Sequence, residues 1–245
     1  MDIDSISRKC SLIDGSDVDS VIQNIQALDE IYERDNLVKI YNSFLSMTKD
    51  PNILMCLIQC LDRIRDNSSL SPLLDLFLMK DNESEKDSLI NVRVMCAKAI
   101  ANLKDTSAVT PLLYCLNDKD ENYKIRLACA DALGKIGDRY AVAPLIAVVK
   151  DESERSVYLR ESAASALGML GDLRAVDPLV SILETQKGIW DKFTFLKERV
   201  IEALGKLRYD KNDRVFNALK NSLMDESPQI RINAIEAIMD SENPK

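Results

Sequence analysis

Apolar positions recur along this chain at three-and-four-residue spacing, and blocks of that spacing recur in turn. The blocks align on six residue pairs: Ile53-Leu54, Val92-Arg93, Ile125-Arg126, Leu159-Arg160, Leu196-Lys197 and Ile230-Arg231. Three places after the second member stand Leu57, Cys96, Cys129, Ala163, Val200 and Ala234. Six places after it stand Cys60, Ala99, Ala132, Ala166, Ala203 and Ala237, and at seven Leu61, Ile100, Leu133, Leu167, Leu204 and Ile238. Such a stripe is one face of an α-helix. The aligned positions follow one another by 39, 33, 34, 37 and 34 residues, with a fainter unit opening near Ser20. That period predicts a solenoid, in which a helix pair too small to bury its own stripe stacks on its neighbours.

The punctuation between blocks repeats as well. ALGKIGDRYAVAPL at 132–145 is nearly copied as ALGMLGDLRAVDPL at 166–179. Gly134, Gly168 and Gly205, eight places after the aligned position, leave room for close helix approach. Gly137 and Gly171 suit a left-handed helix end, and Asp138 and Asp172 behind them suit carboxylate caps for the next helix. Pro72, Pro111, Pro144 and Pro178 each fall eighteen places after the aligned position, which fits either a first helical turn or a kink.

The motif (V/I/L)R-x-x-A-x-x-ALG-x-LGD-x-x-AV-x-PL resembles the HEAT repeat, specifically the short type of bilin lyases in phycobilisome assembly. The resemblance is strong over 92–207 and weaker over 20–91 and 208–245. It implies an all-α, right-handed α-solenoid of about six to seven helix pairs, with the second helices lining a concave face. It implies no single activity, because such repeats serve scaffolds, adaptors and chaperone-like proteins. Val215 in place of the repeat proline, Arg208-Tyr209 in place of Gly-Asp and Leu54 in place of the basic residue depart from the pattern. The expected organisation is one domain over 1–245: an N-terminal segment at 1–16, divergent repeats at 17–91, clear repeats at 92–207 and divergent repeats at 208–245.

Composition narrows the chemistry. The chain has no histidine, which removes the commonest general base and metal ligand, and with them the His–Glu di-iron site of a HEAT-type hydroxylase. A net charge of −8 is the wrong sign for a phosphate track. Mixed residues at the solvent-facing fifth offset, Gln59, Lys98, Asp131, Ser165, Glu202 and Glu236, argue the same way. Of six cysteines, Cys60, Cys96, Cys115 and Cys129 fill core positions of the repeat, and Cys10 and Cys56 lie outside that register. No CxxC, phosphate loop or nucleophile motif appears, so neither a metal nor another cofactor is expected. Without a long apolar run or an apolar leader at MDIDSISRKC, no membrane contact is expected and the chain reads as cytoplasmic.

Arg93, Arg126, Arg160, Lys197 and Arg231 recur once per unit, with Asp87, Asp120, Glu154, Asp191 and Asp225 a few places before them. They read either as a ladder for an anionic ligand or as one turn-stabilising ion pair per unit. Two turns are long. The charged KDNESEKDSLIN reads as a solvated loop. KGIWDKFTF gathers Trp190, Phe193 and Phe195 within six residues, when the chain holds one Trp, seven Tyr and five Phe. These rings either tuck against a helix or form a binding hot spot. The last helix, IRINAIEAIMD, shows a broad apolar surface that invites self-association. The expected function is a non-catalytic scaffold or adaptor for a protein partner, bound through the concave helices, the fifth-offset positions and the aromatic loop. The alternative is a bilin-lyase-like chromophore chaperone. Nucleic-acid binding ranks last.

Overall fold

The computed structural model describes residues 2–12, 17–80, 87–185, 194–207 and 213–242. These residues are helical throughout, with no strand among them. The chain divides into two compact units, Met1–Pro111 and Leu112–Lys245.

The first unit holds α1 (Ile3–Lys9), α2 (Val18–Ala27), α3 (Arg34–Met47), α4 (Pro51–Ile64), α5 (Leu70–Leu78) and α6 (Asp87–Leu103). Here α2, α4 and α6 pack in succession as one layer, with α3 and α5 as a second layer against them. The division falls within α7 (Val109–Asn117). The second unit continues with α8 (Tyr123–Ile136), α9 (Val142–Lys150), α10 (Val157–Leu170) and α11 (Val176–Thr185). It ends with α12 (Thr194–Lys206), α13 (Asp213–Ser222) and α14 (Pro228–Glu242). In it α8, α10, α12 and α14 pack side by side, and α9, α11 and α13 form the companion layer. This is the helix-pair repeat architecture that the periodicity predicts.

The repeat stripe is the core. Cys96, Cys129, Ala163, Val200 and Ala234 are wholly buried, as are Ile100, Leu133, Leu167 and Leu204. Glycine sets the spacing of α8, α10 and α12. A Cβ built on Gly134 meets Ala166 Cα at 2.8 Å, and one on Gly168 meets Ala203 Cα at 2.8 Å.

Four first helices, α4, α6, α8 and α10, end in the left-handed region at the same register. Gly137 (φ 86°) and Gly171 (φ 67°) do so as expected, and the non-glycine Arg65 and Lys104 (both φ 55°) do so too. A carboxylate then caps a short 3₁₀ turn that leads into the second helix. Asp66, Asp105, Asp138 and Asp172 accept the backbone N–H of Ser68, Ser107, Tyr140 and Arg174 at 2.9–3.0 Å. The caps fall on this 3₁₀ turn and not on the α-helix itself. Pro72, Pro111, Pro144 and Pro178 are each the third residue of their helix. A missing N–H costs little in a first turn, and this settles the choice between first turn and kink. Val215 holds the same third place in α13, so the register survives without proline.

One loop expectation is corrected. Residues 81–86 of the first insertion lie outside the described set, but 87–91 are helical and lengthen α6 to 17 residues, against 14 in α8 and α10.

Candidate functional site

Three members of the basic ladder are buried, whereas Lys197 and Arg231 are half-buried. Arg93, Arg126 and Arg160 are only 0%, 6% and 4% exposed. Each donates Nε to the next-to-last carbonyl of the preceding second helix: Arg93 to Phe77 at 2.8 Å, Arg126 to Leu116 at 3.0 Å and Arg160 to Val149 at 3.0 Å. The arginine thus caps a helix end whose carbonyls lack intrahelical donors. Phe77 also lies under the Arg93 guanidinium, 5.8 Å from ring centroid to Cζ. At these three arginines the guanidinium is turned into the fold as a cap on the preceding helix end.

The acidic partners correct the sequence reading. Glu154 forms its ion pair with Arg126, 28 residues earlier, at 2.8 Å, while its charge also reaches Arg160. Asp225 pairs with Lys197, again 28 residues earlier, at 3.3 Å, while Arg231 takes the Asp225 and Glu226 backbone carbonyls. The charges therefore stitch one repeat to the next.

All six cysteines are buried and reduced. Burial pushes the Cys10 and Cys96 thiols up, away from the thiolate. Cys56 and Cys60 lie on α4 near Tyr41, whose hydroxyl donates to Asp29 at 2.9 Å; Asp29 also pairs with Arg63. Among the described residues no group of three or more Cys, Asp or Glu side chains is placed to hold a metal.

What faces solvent is a groove of about 910 Å³ in the second unit. The turn at 119–123, the segment 153–158 with Glu161, and Phe195 wall it. Tyr123, Tyr158 and Phe195, near the starts of α8, α10 and α12, are 47%, 64% and 61% exposed. A core-facing residue immediately precedes each ladder position: Ile125, Leu159 and Leu196 are fully buried. The aromatic residues fall one or two places earlier, off the core stripe, and so turn outward. Lys119 is neutralised by Asp151 at 2.9 Å and Arg126 by Glu154. Arg155 is exposed and Glu161 half-buried.

Of the sequence-proposed binding residues, the structure brings Phe195 into this groove. Trp190 and Phe193 lie outside the described residues. Gln59, Lys98 and Glu236 are exposed, whereas Asp131, Ser165 and Glu202 are half-buried, so the fifth offset is not a uniform solvent face. Asp131 accepts the Ser162 hydroxyl and Glu202 pairs with Arg199. Sequence reasoning missed Tyr123 and Tyr158; the available signal was an aromatic residue at each helix start, off the apolar stripe. On α14, Ile230 is buried while Ile232, Ile235 and Met239 are exposed. No helix among the described residues is long and apolar enough to cross a membrane.

A family model described as HEAT repeats matches residues 82–157 and again 119–189. No curated protein matches the chain. Among solved structures, the complex of CpcE and CpcF of phycocyanin lyase from Nostoc sp. PCC7120 is similar at 24% identity and a TM-score of 0.57. That match covers 71% of this chain and 66% of the other, just under two thirds of its length. Human deoxyhypusine hydroxylase in complex with glycerol aligns over 98% of this chain and 96% of its own, at 16% identity and a TM-score of 0.44. The chain therefore has a HEAT-repeat fold, similar to that of the CpcE and CpcF complex.

Proposed function

We propose that this chain is a non-catalytic scaffold that docks a protein partner in the groove of its second unit. The observation that carries the reading is the gathering of three exposed rings, each from a different repeat, around one concavity. Large amphipathic rings on a preformed surface are the side chains that dominate binding energy at protein interfaces. This reading keeps Phe195 of the aromatic loop and centres the docking surface on the edge where inter-repeat turns meet the first helices. Affinity capture with the wild-type chain and with a Tyr123→Ala, Tyr158→Ala, Phe195→Ala variant tests it. The partners retained by wild type are lost from the variant at unchanged helicity and melting; equal capture rejects the groove. Self-association through Ile232, Ile235 and Met239 of α14 belongs to the same proposal, and sedimentation across a concentration series checks it.

A second reading is a chromophore-handling role in phycobiliprotein assembly. The likeness to the phycocyanin lyase chains supports it. So does a groove whose rings, with the exposed Arg155, suit a flat conjugated ligand carrying a carboxylate. Titration with a bilin should shift the bilin absorption band in wild type and not in the triple variant. An unchanged band rejects this reading and leaves the scaffold intact.

A further inference from the structure

The groove keeps a charge imbalance after its internal pairs are set aside. Glu161 follows the ladder residue Arg160 on α10, and Glu198 holds the same register on α12. Both are half-buried, and neither makes a hydrogen bond or ion pair among the described residues. Arg199, the cation whose charge both feel, is engaged by Glu202 at 2.9 Å. Burial pushes the Glu161 carboxyl up, Arg199 pulls it part of the way back, and Glu198 adds a smaller upward push. A carboxylate half removed from water and left without a partner costs free energy that an incoming cation would recover. The rings lining the same groove reinforce the preference, because aromatic faces attract guanidinium and ammonium groups.

We infer that the partner element entering this groove presents a basic side chain, arginine or lysine, whose charge meets Glu161 and whose stem lies against Tyr158 and Phe195. This rests on the groove being the docking surface. An apolar segment alone would leave Glu161 still more desolvated and still unpaired. An acidic element would set its charge beside Glu161 and Asp120 and would have the exposed Arg155 as its counter-ion.

The test uses the full chain and three capped, fluorescent pentapeptides that differ only at the centre: arginine, norleucine or glutamate. The arginine peptide binds about tenfold tighter than the norleucine peptide. Glu161→Gln removes that preference, while Arg155→Gln leaves or strengthens it, and added salt narrows it. Equal binding of the arginine and norleucine peptides, binding of neither, or preference for glutamate lost in Arg155→Gln overturns the inference. Tyr158→Ala separates it from the docking reading. If that variant weakens every peptide while Glu161→Gln alters none, the groove stands and the basic side chain is wrong. If Tyr158→Ala changes nothing, the groove itself fails.

Discussion

Arg126 and Glu154 stand 28 residues apart and meet at 2.8 Å with both side chains almost wholly out of water. The same guanidinium closes the end of α7 through Leu116. Removing one member of a buried pair strands the other charge, which costs about 3–5 kcal/mol. Arg126→Met should fall in that range, since it also leaves the Leu116 carbonyl without its donor. Glu154→Gln should cost less, because the amide oxygen still accepts from the guanidinium. Urea denaturation of Arg126→Met, Glu154→Leu and their double variant should give a double-variant loss well below the sum of the singles.

The glycines predict a graded series. A Cβ at Gly168 would sit 2.8 Å from Ala203 Cα and 3.0 Å from Ala203 Cβ, atoms of a packed helix that cannot swing aside. At Gly205 the nearest approach is 3.2 Å, to Ala237. Alanine gains about 1 kcal/mol of helix preference over glycine, against roughly 1–3 kcal/mol for overpacking. Gly168→Ala should therefore destabilise by up to about 2 kcal/mol, and Gly205→Ala should be close to neutral. Thermal melts of the two variants decide the order.

Lys104 is exposed, yet it holds the left-handed conformation that Gly137 and Gly171 hold in the next two repeats. A side chain there is strained by Cβ crowding that glycine lacks. Lys104→Gly should stabilise the chain by about 0.5–1 kcal/mol, read as a raised urea midpoint. A loss of stability would mean that the lysine stem contributes more packing than its exposure indicates.

Gly137 and Gly171 made two left-handed helix ends legible in the sequence, together with the capping Asp138 and Asp172, because those residue types are specific to that backbone. Arg65 and Lys104 were not legible, since only stacking on neighbouring repeats imposes that conformation on ordinary residues. The ladder arginines were visible by spacing, but their acidic partners were assigned locally. The true pairing runs one repeat forward, because the stack, and not the chain, brings Glu154 to Arg126. The groove was the least legible feature. Tyr123, Tyr158 and Phe195 come from three repeats at unequal offsets, and only helix packing sets them around one concavity.

The capping carboxylates predict acid sensitivity. Side-chain and backbone hydrogen bonds from Arg174 hold the Asp172 carboxyl down to about 2, and Lys119 with Ser153 hold Asp151 at about 2. Ser68 and Ser107 lower Asp66 and Asp105 in the same way. In the unfolded chain such groups titrate near about 4. Their contribution is therefore complete above about pH 4 and lost as pH falls through the folded values. Asp172→Asn keeps an N-cap oxygen and loses the charge. Its melting temperature should lie below wild type at pH 6 and converge on it toward pH 2.

Glu161 and Glu198 carry the opposite sign. Burial raises both carboxyl pKa values above their ordinary range, so their protonated forms favour folding, and that contribution fades as pH rises through the raised values. At neutral pH the ionised pair weighs against the fold. Glu161→Gln should then raise the melting temperature at pH 7, and the gain should shrink as pH falls and the wild-type carboxyl takes up its proton. The same substitution should abolish preference for an arginine peptide. A residue whose replacement strengthens the fold while weakening binding is held by function and not by packing. If Glu161→Gln lowers the melting temperature at pH 7, the carboxylate has a structural partner, and the groove loses the unpaired charge that makes it selective.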